Sequence, residues 1–139
     1  MTDVLHLHID GGSRGNPGDA GFGVHVTAPD GAEVAALYGY IGQATNNVAE
    51  YQALLHGLRY ALDHGARRVL VFSDSELVVR QIGGSYRVKH PAMIPLHREA
   101  LALMRRFENV RITHVRRELN KDADRLANQA LDEKASKLD

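Results

Sequence analysis

At 139 residues and 44% hydrophobic content the chain is sized for one domain (1–139) with a real core, and no stretch approaches the roughly 20 apolar residues of a membrane span. Seventeen basic and seventeen acidic side chains cancel, so net charge gives no pull toward nucleic acid, and the lack of cysteine excludes a disulfide framework. Met1-Thr2-Asp3 carries no basic and apolar leader, so a cytoplasmic protein is expected.

Val4 to Ile9 reads as a strand that ends at Asp10, followed by a loop of small residues, Gly11-Gly12-Ser13-Arg14-Gly15-Asn16-Pro17-Gly18. Such a loop lets backbone approach a phosphate or sugar closely. Phe22 to Thr27 and Glu33 to Tyr40 are two more strands, joined by a Pro29-Asp30-Gly31 hairpin turn. Thr45-Asn46-Asn47 caps a helix from Val48 to His64 that Gly65 stops. Val69 to Phe72 is wholly apolar, as a strand buried on both faces should be. Ser73-Asp74-Ser75-Glu76 starts a second helix that stops at Gly83-Gly84, and Pro91 and Pro95 open a third running to about Phe107. Val110 to Val115 is the last strand, and Asn120 to about Ala135 the last helix; the tail beyond about 133 is expected either to fray or to cover the edge of the site. The order β-β-β-α-β-α-α-β-α predicts an α/β fold: a mixed five-stranded sheet, three strands antiparallel and the rest parallel, with helices on both faces.

Four acids stand at comparable junctions. Asp10 and Asp74 follow strands that, as parallel neighbours about 4.8 Å apart, would bring both carboxylates to the sheet edge where open α/β sheets place their sites. Helix capping is the plain alternative for Asp74, and Ser73 with Glu76 fits a capping box. Glu50 is more telling, because it shares a helical stripe with Leu54, Gly57, Leu58 and Ala61. A glutamate in a core-facing row needs a positive partner, and neither Arg59 nor Arg67 is obviously placed to reach it. Asp122 and Asp124 both open the last helix, where the helix dipole favours acids, and spacing does not choose between them. Carboxylates gathered at one edge suit hard cations, Mg²⁺ or Mn²⁺, and two such ions about 4 Å apart are suited to phosphodiester cleavage. A rival row, His6-x-His8-x-Asp10, shares one strand face and has the spacing of a transition-metal site, although packed or hydrogen-bonded histidines explain it equally. No acid falls between Glu76 and Glu99, where Arg80, Arg87, Lys89, His90, His97 and Arg98 cluster, either as a basic strip or as an ordinary solvated face.

Asp10-Gly11-Gly12-Ser13 with Gly15-Asn16-Pro17-Gly18, Thr45-Asn46-Asn47-Val48-Ala49-Glu50, Ser73-Asp74-Ser75 and Asn120-Lys121-Asp122-Ala123-Asp124-Arg125-Leu126-Ala127 together resemble type 1 ribonuclease H over nearly the whole chain. The resemblance implies a monomer that hydrolyses the RNA strand of RNA/DNA hybrids, leaves 5′-phosphate and 3′-hydroxyl ends, and uses two Mg²⁺ with Mn²⁺ as a substitute; cleavage of double-stranded RNA stays open. It implies Asp10, Glu50, Asp74 and Asp124 as catalytic metal ligands, the last because the family's acid precedes the Leu-Ala pair by one residue. Gly11, Gly12, Asn16 and Asn47 would meet the RNA strand, Thr45 a DNA phosphate, and Ser75, beside Asp74, the substrate. The family's basic helical protrusion is replaced by Gly83-Gly84-Ser85-Tyr86-Arg87-Val88-Lys89, as in its compact branch, and its Gly-His loop by Val115-Arg116-Arg117-Glu118-Leu119. Arg117 is therefore the candidate auxiliary residue, and His114 belongs to the strand. Two other classes compete: an actin-like ATP-binding domain, whose second lobe 139 residues cannot supply, and a catalytically dead nucleic-acid binder, which would not keep four acids.

Overall fold

The computed structural model describes residues 3–138; Met1 and Thr2, on which the expectation about a leader rests, and Asp139 of the tail lie outside the described residues. Strands β1 (Val4–Arg14), β2 (Gly18–Thr27) and β3 (Glu33–Ala44) form an antiparallel meander, and β4 (Arg68–Ser73) and β5 (Asn109–His114) extend it in parallel, in the order β3-β2-β1-β4-β5. Helix α1 (Asn46–Asp63) links the meander to β4, α2 (Glu76–Ile82) and α3 (Ile94–Met104) link β4 to β5, and a short 3₁₀ turn (Arg117–Leu119) leads into α4 (Lys121–Glu133). This is the expected α/β arrangement.

Alternation along β1 sets the two layers. Leu5, Leu7 and Ile9 are buried toward α1, where a Cβ added to Gly57 would touch Leu7, Val24 and Ile9. His6, His8 and Asp10 face the other way, and there Gly21 and Gly23 of β2 let α4 lie directly on the sheet. A Cβ on Gly23 would come within 3.0 Å of the Ala123 carbonyl, the Leu126 side chain and the Ala127 nitrogen.

The strands run further than hydrophobic patterning suggests. Gly11 to Arg14, expected as a loop, continue β1 and pair with Phe22 back to Asp19. Pairing with β4 stops at Ile9↔Ser73, so Asp10 is the first β1 residue beyond its parallel neighbour. The small residues interrupt the apolar alternation without interrupting the backbone ladder, which is why the strand is invisible to periodicity. The turn expected at Pro29-Asp30-Gly31 forms, with the Gly31 amide donating to the Ala28 carbonyl at 2.9 Å and Gly31 at φ +90°.

Capping follows the sequence at α1, where the Thr45 hydroxyl accepts from the Val48 amide, but departs from it at α2. The Ser73–Glu76 capping box does not form. Ser73 Oγ accepts from the Ser75 amide at 3.0 Å, Ser75 Oγ accepts from the Val78 amide at 3.2 Å, and Asp74 is free of capping duty. The described part of the tail pairs with the sheet and does not reach the acids. Lys137 exchanges backbone hydrogen bonds with Tyr38 at 3.0 and 2.8 Å, and Ser136 Oγ accepts from the Tyr40 amide, so the chain covers the outer edge of β3.

Candidate active site

Three elements deliver carboxylates to one end of the sheet. Asp10 comes from β1, Asp74 from the residue after β4, and Glu50 from the second turn of α1. Oxygens of all three lie within 4.8 Å of one another. Gly11 makes this approach feasible: a side chain there would come within 3.0 Å of the Ala49 carbonyl and the Glu50 nitrogen, so only glycine lets β1 lie against the start of α1. Glu50 shares its buried stripe with Leu54, Gly57, Leu58 and Ala61, as its spacing predicts. Arg59 and Arg67, neither placed by the sequence to reach it, bind Glu99 and Glu108 instead.

Asp124 reaches the same cleft from α4, whose first turn the β2 glycines hold against the sheet. Asp122 does not: it lies 3.5 Å from Arg125 and 3.8 Å from His25, facing a different cavity. Of the two acids that helical spacing left open, Asp124 is the one that lines this cleft. The expected His6-His8-Asp10 row is also divided, because Asp10 joins the carboxylates while His8 stacks on Phe72 at 5.0 Å and approaches Thr27.

The cleft has a volume of about 310 Å³ and is also lined by Gly12, Ser13, Arg14, Asn46 and Arg117. Arg117 therefore stands at the site, whereas Arg116 turns to Glu118 at 3.8 Å. Asn16 accepts from the Asn46 amide at 3.1 Å and pins the β1–β2 hairpin to the start of α1. Thr45 and Ser75 serve as helix caps, and Asn47 is half-buried in the first turn of α1. Patterning passed over Arg14, Asn46 and Asn128. Asn128 lies one helical turn beyond Asp124 and donates to its carbonyl at 3.0 Å, and that i, i+4 spacing is the signal that could have found it.

The electrostatics suit a bound cation. Among the described residues no Lys or Arg forms an ion pair with Asp10, Glu50, Asp74 or Asp124; Arg14, at the rim, is engaged by Asp132 at 2.6 Å. Glu50 Oε1 and Asp74 Oδ2 are buried without a hydrogen-bond partner. Burial, reinforced by the Asp74 and Asp124 carboxylates, pushes Asp10 up to about 8, and burial with Asp10 and Asp74 raises Glu50 well above the carboxylate range. Buried acids that repel one another and leave oxygens unpaired are stabilised by a hard cation, and an all-oxygen donor set of this kind fits Mg²⁺ or Mn²⁺.

Comparison with known proteins agrees with the geometry. Residues 8–130 match the family model described as reverse transcriptase-like. The chain is 42% identical over 129 residues to ribonuclease HI of Halobacterium salinarum, covering 93% of this chain and 65% of that protein. The crystal structure of that RNase H1 superimposes with a TM-score of 0.90 over 94% of this chain and 98% of the other. This chain belongs to the ribonuclease H family. It is also 47% identical over 127 residues to the bifunctional protein Rv2228c of Mycobacterium tuberculosis, covering 91% of this chain but 35% of that relative, so it corresponds to about a third of the longer protein. LC11-RNase H1, solved in complex with an RNA/DNA hybrid, is 38% identical, with a TM-score of 0.87 over 94% of this chain and 97% of the other. The ribonuclease H fold accounts for the shared sheet order and for the strand ends at which the acids meet.

Proposed function

We propose that this chain is an endonuclease that hydrolyses the RNA strand of RNA/DNA hybrids with two divalent ions, Mg²⁺ with Mn²⁺ as a substitute. One observation carries the reading: carboxylates from three separate elements converge with orphaned buried oxygens and, among the described residues, no basic ion-pair partner. The likeness to a ribonuclease H1 solved on an RNA/DNA hybrid supplies the substrate class.

Asp10, Glu50, Asp74 and Asp124 would hold the ions. Bound divalent ions supply ionisation of water at neutral pH and charge stabilisation at the scissile phosphate. The chain's own part is positional. Asp10 is the acid that interacts with each of the other three. Gly11 and Gly12 keep the floor of the cleft open to backbone, and Asn16 and Asn47 present amides to sugar hydroxyls and base edges of the RNA strand in the shallow groove of an A-like duplex. The hydroxyls of Thr45 and Ser75, which accept from their helices, retain protons to donate to phosphate oxygens. Arg117, at the rim, offers a guanidinium to the cleaved phosphate and the departing product. Hydrolysis adds water across the P–O3′ bond, the proton passing to the leaving oxygen, which gives 3′-hydroxyl and 5′-phosphate ends. One chain carries all four acids, so a monomer suffices.

Cleavage of an end-labelled RNA/DNA hybrid in Mg²⁺, Mn²⁺ or EDTA tests the reading, with single-stranded RNA and RNA duplex as controls. Metal-dependent cutting of the RNA strand in the hybrid is expected. A folded protein that binds the hybrid in Mg²⁺ and leaves it intact would be a binding module instead, and the reading would be withdrawn.

A further inference from the structure

Arg14 and Arg117 both line the carboxylate cleft, and a guanidinium that settled on the acids there would compete with a metal ion. Arg14 is held away from them by α4. Its Nη2 donates to Asp132 Oδ1 at 2.6 Å and to Asn128 Oδ1 at 3.4 Å. Asn128 in turn points its Nδ2 at Asp124, 3.0 Å from the backbone carbonyl and 3.5 Å from Oδ1. Asp124, Asn128 and Asp132 recur every four residues and so share one face of α4. A single amide thus links the arginine to an acid of the cleft, while Asp132 holds the guanidinium two turns further along the helix.

The base of Arg14 is fixed and its side chain is not. β1 ends at Arg14, which pairs with Asp19, and the preceding Ser13 amide donates to Asn46 Oδ1 at 2.7 Å. The Arg14 side chain is 51% exposed and that of Asp132 66%, and an ion pair in such a setting is weak and readily exchanged. Both contacts use Nη2, which leaves the other donors of the guanidinium to an incoming anion. A phosphodiester offers two oxygens to that planar fork and binds it better than one exposed carboxylate oxygen does.

We propose that Arg14 is a movable clamp for a backbone phosphate of the RNA strand, and that Asp132 and Asn128 park it clear of Asp124 until the strand arrives. The clamp rests on the hydrolytic reading for its substrate. Gly11 and Gly12, which that reading sets against the RNA strand, precede Arg14 on β1, and this selects a phosphate of the RNA over one of the DNA. Asp132 is then a positioning residue that acts through Arg14, with opposite effects on substrate and on metal.

The test measures hybrid binding without turnover, in an Asp10→Asn background. Arg14→Gln should weaken binding about tenfold and lower its salt dependence by about one phosphate contact. Asp132→Asn should not weaken it, because the clamp is then already released. Calorimetric titration of the free chain with Mg²⁺, with Asp10 intact, should give the reverse: Asp132→Asn loses Mg²⁺ affinity as Arg14 turns to Asp124, and adding Arg14→Gln restores it. One neutral methylphosphonate in the RNA strand should erase the difference in hybrid binding between Arg14→Gln and its parent. Both side chains are exposed, so Tm should move little. Equal losses of hybrid binding in Arg14→Gln and Asp132→Asn would reduce the pair to a strut between β1 and α4 and overturn the clamp. So would a difference erased only by a methylphosphonate in the DNA strand. A parent that shows this whole pattern and cuts no hybrid would instead withdraw the hydrolytic reading and leave the clamp standing.

Discussion

Asp10 is the residue at which charge and fold are most directly opposed. Its carboxyl is raised from 3.8 to about 8, chiefly by burial and then by Asp74 and Asp124, so the folded chain holds a proton that the unfolded chain has released. Unfolding therefore releases a proton over this range, and the stability contributed by protonated Asp10 is full below about 4 and lost as pH rises through about 8. Asp10→Asn mimics the protonated form. In the absence of metal it should be more stable than the parent by on the order of 5 kcal/mol near pH 8, with little difference near pH 4, as denaturant melts at the two pH values would measure. Hybrid cleavage by the same variant should be abolished; retained turnover would remove Asp10 from the mechanism. Asp122 and Asp124 lie two residues apart in the first turn of α4, yet only Asp124 lines the cleft. Asp124→Asn should lower the cleavage rate by on the order of 100-fold or more while Asp122→Asn leaves it within about twofold, and the reverse order in single-turnover assays would mean the wrong acid was chosen.

At the level of elements, the site depends on how closely helices lie on the sheet. Gly23 has no room for a Cβ beneath α4, so Gly23→Ala must lift the first turn of α4 and carry Asp124 with it. A destabilisation of about 2 kcal/mol is expected, together with a fall in kcat that saturating Mg²⁺ does not restore. Gly12→Ala is the contrast: an added methyl there would sit 3.7 Å from Asn46 Oδ1, an ordinary contact, so stability should be kept and any loss should fall on KM. The tail acts at the other edge of the sheet. Removing residues 136–139 uncovers the Tyr38 and Tyr40 backbone and should cost about 1–2 kcal/mol in thermal melts, with kcat unchanged because the paired tail lies on β3 and away from the acids.

For the whole molecule, the proposed ions and protons would compete for the same carboxylates. Raised Asp10 and Glu50 must shed protons before a cation can settle, so the cleavage rate should climb with pH toward about 8, and more Mg²⁺ should move the midpoint downward. A pH–rate profile that ignores Mg²⁺ concentration would mean that these acids do not hold the ion. Among the described residues no helix is long and apolar enough to cross a membrane, in keeping with the apolar count of the sequence.

Composition, periodicity and punctuation by themselves determined the α/β class, the order of elements, the cap at Thr45, the turn at Gly31 and the buried stripe that marks Glu50 as unusual, because each is written within a dozen neighbouring residues. Order and spacing of the four motifs carried the family resemblance. What only the tertiary structure decided depends on residues far apart in the chain. Gly11 to Arg14 became strand because β2 supplies hydrogen-bond partners that hydrophobic alternation does not encode. Asp74 was freed from capping because Ser75 took the cap. Asp124 rather than Asp122 reached the acids because glycines on β2 set how α4 lies, and a helical repeat cannot report what faces it across 100 residues of chain.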